Sequence, residues 1–169
     1  MNLPPLLVVI HETVISAKKS MAFHADPQYY ASYHSLIELD GTINYLVPAE
    51  HKAFAAAISE FIDPITKEAE HINGSVDDFA YHIALETPID GRDGISPHSG
   101  YTYEQYKSLA WLCVSTGVQD SRIVTHGEIS IPPTLEPRCF NIDYFFEVYS
   151  SQKGMGRKRL NMGLLDNVE

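Results

Sequence analysis

Residues 32–48 read SYHSLIELDGTINYLVP, two runs rich in branched and aromatic residues on either side of Asp40-Gly41. An Asp-Gly pair between strand-like runs predicts a β-hairpin, because a type I′ turn needs positive φ and these residues reach it at least cost. The hairpin is expected to span Tyr33 to Val47, alternating about that turn.

Working outward, residues 6–13 read LLVVIHET. The unbroken apolar run Leu6 to Ile10 predicts a strand buried on both faces of a sheet, with His11 at its C-terminal end. Phe79 to Glu86 predicts a further strand, and Arg122 to Thr125 a short one that delivers His126. Helices are expected at three places. Glu50 to Phe61 carries Phe54, Ala57, Ile58 and Phe61 at helical spacing. Thr102 and Gln105 form a capping-box pattern ahead of the stripe Tyr106, Leu109, Ala110, Cys113 and Val114, which ends near Gly117. Asn141 to Ser150 reads as a closing helix that begins just after Cys139. Strands and helices interleave, so the expected class is α/β, one domain with a central mixed β-sheet flanked by helices. That domain is placed at residues 1–150, and residues 151–169 form a C-terminal tail, read as a frayed, solvated end. The Gly, Pro, Asp and Ser content of residues 87–101 marks a surface loop.

With 169 residues, 44% of them hydrophobic, the chain suits one globular core. A net charge of −10 excludes broad electrostatic attraction to nucleic acid or anionic membranes. The apolar run at Pro4 to Ile10 has no basic flank and ends in His11-Glu12, unlike a signal peptide, and no stretch suits a bilayer span. Two cysteines, Cys113 and Cys139, cannot frame a disulfide-rich secreted domain, so a cytoplasmic protein is expected.

His11, His126 and Cys139 each stand at the end of a short element, where α/β sheets place ligands. Catalytic zinc sites use three protein ligands drawn from His, Cys and carboxylates and leave a fourth position for water. Eight histidines also offer accidental pairings, so on residue types alone this trio competes with ordinary surface or satisfied core positions. His24, His51, His71 and His98 read as solvated surface, and Cys113 as core on its helix stripe. A second chemistry is open: Cys139, near a helix N-terminus, as the nucleophile of a cysteine hydrolase. It leaves His11 without a task.

Across residues 6 to about 146 the order of motifs resembles the N-acetylmuramoyl-L-alanine amidase family, which includes phage amidase-type lysozymes, cytoplasmic anhydro-muropeptide amidases and peptidoglycan recognition proteins. LLVVIHET is similar to the family's first strand and first zinc histidine, here His11. SYHSLIELDGTINYLVP resembles its tyrosine-histidine strand, Asp-Gly hairpin and following LVP, with Tyr33 at the catalytic tyrosine. DDFAYHIALE and YTYEQYKSLAWL (residues 77–86 and 101–112) resemble the next strand and helix. RIVTHGEI (122–129) resembles the second ligand segment, carrying His126, and PRCFNIDYF (137–145) the last motif, in which a cysteine or aspartate precedes a short turn, making Cys139 the third ligand.

The resemblance implies a zinc-dependent hydrolase that cleaves the amide between N-acetylmuramic acid and L-alanine in peptidoglycan or muropeptides, with Zn2+ at His11, His126 and Cys139. It implies Tyr33 as the donor to the developing oxyanion, with Arg138 as its substitute, and Tyr33, Glu86 or His34 as the proton source for the leaving amine. Phe54 and His34 are expected at the substrate. Several positions depart from the family pattern. Ala84 stands where the cytoplasmic branch carries a glutamate, although Glu86 follows on the same face. Pro137 stands where many members have a lysine, FN replaces the PG that usually follows the third ligand, and the stretch from His126 to Cys139 is longer than usual. A non-catalytic muropeptide-binding or regulatory protein is the other reading the resemblance allows, with loss of a ligand as its expected sign. Both cytoplasmic muropeptide turnover and a phage lysin released to the wall fit the sequence.

Overall fold

The computed structural model describes residues 5–26 and 28–165, with the side chains of 156–165 outside the description. A five-stranded mixed sheet forms the centre, in the order β3-β2-β6-β1-β7. β1 (Leu7–Glu12) lies between β6 (Ala80–Leu85) and β7 (Ile123–Thr125) and is parallel to both. Every residue of β1 and β6 is buried, as their continuous apolar runs require. β2 (Ser35–Ile37) extends the parallel set, and β3 (Ile43–Tyr45) closes that edge antiparallel to it.

The β2–β3 hairpin is present, but its turn differs from the expected two-residue type. Gly41 N–H donates to the Glu38 carbonyl and Glu38 N–H to the Thr42 carbonyl, with Gly41 alone at positive φ (86°). This is a three-residue loop, a tight turn followed by a left-handed glycine.

Side chains alternate across β1. Val8 and Ile10 face α2 (Tyr103–Thr116) and α4 (Ile142–Leu165), where Leu109, Cys113, Phe145 and Tyr149 complete the main core. The capping box of Thr102 and Gln105 and the left-handed Gly117 bound α2 as its sequence predicts. α4 continues to Leu165, so most of the expected tail is helical. Leu7 and Val9 face the opposite side, toward Ala56, Phe61, Val76 and Val124, and next to them α1 (Ala17–Ala25) contributes Ala17 against Leu36 and Ala84. β4 (Phe61–Ile62) and β5 (Ala69–Glu70) form a small separate hairpin.

The helix expected over Glu50 to Phe61 is absent, and backbone hydrogen bonding gives the reason. The N–H groups of Ala55 and Ala56 go to Asp77 Oδ1, Ser59 N–H to the Gly74 carbonyl and Glu60 N–H to the Ile129 carbonyl, so these donors are spent on other segments. Ala57 is left-handed (φ 48°), and Phe54 and Ile58 are exposed where a helix stripe would bury them. Among the described residues no helix is long and apolar enough to cross a membrane.

Candidate active site

His11 has the parity of Leu7 and Val9, so it points away from α2 and α4. The parallel register sets it opposite Ala84, with His82 opposite Val9 on the same face, and pairs Ile10 with Thr125. His126 follows Thr125 and opens the short helix α3 (His126–Ile129), which brings the His11 and His126 rings to 4.8 Å between centroids. Thr125 caps that turn, its N–H and hydroxyl both donating to Glu128 Oε2.

The chain then doubles back. Gly127 N–H donates to the Glu136 carbonyl at 2.6 Å, and a Cβ at Gly127 would lie 2.5 Å from the Thr134 carbonyl oxygen, so only glycine allows this approach. It carries the Glu136 carboxylate between the two rings, Oε1 3.3 Å from His11 Nδ1 and Oε2 2.7 Å from His126 Nδ1. Ligand atoms of His11, His126 and Glu136 all lie within 4.8 Å of one another, the one such group among the described residues.

Burial dominates the electrostatics of His11, which is 1% exposed, and lowers its pKa from 6.5 to about 4 despite the hydrogen bond to Glu136, leaving the ring neutral. Burial opposes the Glu136 charge, but hydrogen bonds to His11 and His126 outweigh it and hold the carboxyl well below its ordinary range. Burial also works against a charged His126, and the Glu136 carboxylate overcomes it, raising that pKa. The far ring nitrogens are engaged elsewhere: His11 Nε2 with His82 Nδ1 at 3.0 Å, and His126 Nε2 with the Ala56 carbonyl at 3.4 Å. Two imidazole Nδ1 atoms and one carboxylate thus face a common point, a donor set suited to a catalytic zinc ion.

The sequence expectations divide at this site. His11 and His126 come together as expected, but Cys139 does not join them. It is exposed, its backbone is left-handed (φ 55°), and its Sγ accepts from His98 N–H at 3.2 Å. Glu136 stands in its place. The signal for Glu136 is present in the sequence: an acidic residue directly before Pro137, nearer to His126 than Cys139 is.

Arg138, expected as a charge stabiliser, is committed to Glu12 through Nε to Oε1 at 2.8 Å and Nη2 to Oε2 at 2.9 Å, and also donates to the carbonyls of Ser96 and Gly91. Glu86 lies just beyond β6, and its carboxylate accepts from Ala17 N–H, Leu39 N–H and Arg92, which makes it a fastener between segments. His34 is 2% exposed and cannot meet a substrate: Nε2 donates to the His51 carbonyl and Nδ1 accepts from His82 N–H. His98, expected at the surface, has a fully buried side chain. His24, also expected at the surface, sets its ring edge-on to Tyr33 at 4.8 Å.

Tyr33 does lie beside the centre, its ring 5.3 Å from that of His11. Burial first, and then the Glu136 and Glu12 charges, raise its pKa, so the phenol keeps its proton and remains a donor. Phe54 is half exposed, and its carbonyl accepts from Ser32 N–H next to Tyr33.

The sequence profile of a family described as N-acetylmuramoyl-L-alanine amidase matches residues 1–138. No curated protein matches by sequence. Among solved structures the chain is similar to a selenomethionine derivative of AmpD (22% identity, TM-score 0.62, covering 87% of this chain and 86% of that one). It is also similar to AmiD, an N-acetylmuramyl-L-alanine amidase from E. coli in complex with its substrate anhydro-N-acetylmuramic acid-L-Ala-D-gamma-Glu-L-Lys (20% identity, TM-score 0.63, 81% of this chain and 54% of that one). The endolysin amidase LysCS from Clostridium intestinale is a third similar structure (22% identity, TM-score 0.57, 85% and 82%).

Proposed function

Because the chain belongs to the N-acetylmuramoyl-L-alanine amidase family, we propose that it hydrolyses the amide between N-acetylmuramic acid and L-alanine in muropeptides or peptidoglycan, using zinc held by His11, His126 and Glu136. The observation that carries this reading is the convergence of those three side chains beside the Tyr33 ring. A bound zinc ion supplies Lewis acidity toward the amide carbonyl and acidifies water at neutral pH.

The rest falls to the chain's own side chains. Neutral His11 and ionised Glu136 are in the protonation states that ligation needs, whereas His126, whose pKa the Glu136 carboxylate raises, gives up its Nδ1 proton when it binds the metal. Tyr33 donates its phenolic hydrogen to the oxygen that gains charge as the amide carbon becomes tetrahedral. Of the three groups considered for the leaving amine, Glu86 and His34 are consumed by internal hydrogen bonds, and the Tyr33 hydrogen is committed to the oxyanion. Phe54, exposed beside the segment that carries Tyr33, offers an apolar wall to the sugar or peptide.

The substrate complex of AmiD supports a muropeptide as the ligand of this fold, and the acidic chain is not suited to nucleic acid or anionic membrane partners. The cysteine-nucleophile alternative loses support, since the hydrogen bond that Cys139 Sγ makes comes from the His98 backbone. The deciding experiment assays a soluble anhydro-muropeptide and intact sacculi side by side, with untreated, chelator-treated and zinc-restored enzyme. Release of L-alanine-terminated peptide that disappears on chelation and returns with zinc is expected. Full activity without metal overturns the mechanism, and saturable binding without release makes the protein a binder.

A further inference from the structure

We propose that Asp77 is the common anchor of both histidines at this centre, steering His11 through the ring of His82 and His126 through the Ala55–Ala56 backbone. The inference rests on the zinc reading above and adds two positioning residues to it.

The first branch runs through side chains. His82 stands in the middle of β6, its side chain fully buried, where an unbonded ring nitrogen would be costly. Its Nδ1 is 3.0 Å from His11 Nε2, and its Nε2 is 3.2 Å from Asp77 Oδ1, off the axis of a well-aligned hydrogen bond. The ring cannot swing freely. It lies nearly parallel to the His34 ring, at 10° and 5.8 Å, and the N–H of His82 is bonded to His34 Nδ1. Proton bookkeeping then allows one arrangement. With the Nδ1 lone pair of His11 turned to a cation, its Nε2 carries the hydrogen and donates to His82 Nδ1. His82 must then carry its own hydrogen on Nε2, the atom that faces Asp77.

The second branch runs through the main chain. The same oxygen of Asp77 accepts from Ala56 N–H at 2.9 Å and Ala55 N–H at 3.3 Å. The Ala56 carbonyl, fixed by that attachment, faces His126 Nε2 at 3.4 Å and so leaves His126 Nδ1 for Glu136 and a metal. One carboxylate, itself 6% exposed, therefore governs the orientation of two ligand rings, one on β1 and one at the start of α3. Outer partners of this kind fix the tautomer and orientation of metal-binding histidines.

The test compares zinc affinity, by chelator competition, in wild type, His82→Phe, Asp77→Asn, Asp77→Ala and the His82→Phe/Asp77→Ala double variant. His82→Phe keeps the ring's shape and removes both nitrogens, and a roughly 10- to 100-fold loss of affinity is expected. Asp77→Asn keeps the accepting oxygen and should stay close to wild type. The double variant should bind more weakly than His82→Phe alone, because the Ala56 branch is lost as well. Thermal unfolding of the metal-free proteins separates a general loss of fold from a loss at the centre, and the visible spectrum of the cobalt-substituted proteins reports ligand geometry. If Asp77→Ala does not fold, Asp77→Ser, too short to reach both branches, takes its place. Wild-type affinity and an unchanged cobalt spectrum in His82→Phe overturn the proposal, as does an Asp77 substitution that adds nothing to His82→Phe. A wild type that takes up no zinc, and matches Glu136→Ala in this, overturns the zinc reading together with it.

Discussion

Glu136 Oε2 and His126 Nδ1 stand 2.7 Å apart although they are ten positions apart in the chain, and the turn that joins them is closed by the 2.6 Å bond from Gly127 N–H to the Glu136 carbonyl. The contact makes Glu136 the partner of the two histidines and leaves Cys139 outside.

The first prediction follows directly. Glu136→Ala should lose zinc and activity together, because it removes one of three protein ligands and the group's only negative charge. Cys139→Ser should keep close to one zinc per chain and most of its turnover. Metal analysis and product release on the same samples check both, and loss of zinc in Cys139→Ser with retention in Glu136→Ala would reverse the assignment.

Tyr33→Phe removes a hydroxyl without emptying the space beside His11. Turnover should fall roughly a hundredfold or more, the effect of deleting one oxyanion donor, with zinc content unchanged. Single-turnover kinetics at saturating muropeptide measure it, and near-normal rates would reduce Tyr33 to a packing residue.

Arg138 and Glu12 form a two-point ion pair whose side chains are 12% and 3% exposed. Arg138→Ala strands a buried carboxylate and should cost about 3 kcal/mol of stability or more. Chemical denaturation should show that loss while zinc stoichiometry at low temperature stays near one. A catalytic role would instead appear as a lowered turnover in a protein of normal stability.

His34 supplies the pH dependence. Burial lowers its pKa from 6.5 to about 4, so the unfolded chain takes up a proton at a pH where the folded chain still resists it. The stabilisation is complete above about 6.5 and is lost as the pH falls toward about 4. The urea midpoint of the metal-free protein should decline across that window. His34→Gln should flatten the decline without abolishing it, since His11 is shifted in the same direction.

Elements whose information is local can be read from the chain of residues alone. The apolar runs of β1 and β6, the Asp40-Gly41 hairpin, and the capping box and Gly117 stop of α2 all follow from side-chain period and turn chemistry that neighbouring residues carry. His11 and His126 each end a recognisable strand, but the resemblance to the amidase family is what singled them out from the other histidines. Tertiary structure decided the rest, wherever a side chain's or backbone's partner lies far along the chain. Residues 50–61 have helical spacing, but Asp77, Gly74 and Ile129 take the backbone hydrogen bonds a helix would need. His34 reads as a substrate residue and His98 as a surface one until tertiary packing buries both side chains. Glu86 and Arg138 have the chemistry of catalysts and are consumed by Arg92 and Glu12. The choice between Glu136 and Cys139 turns on how closely two backbones approach at Gly127, a distance that no periodicity encodes.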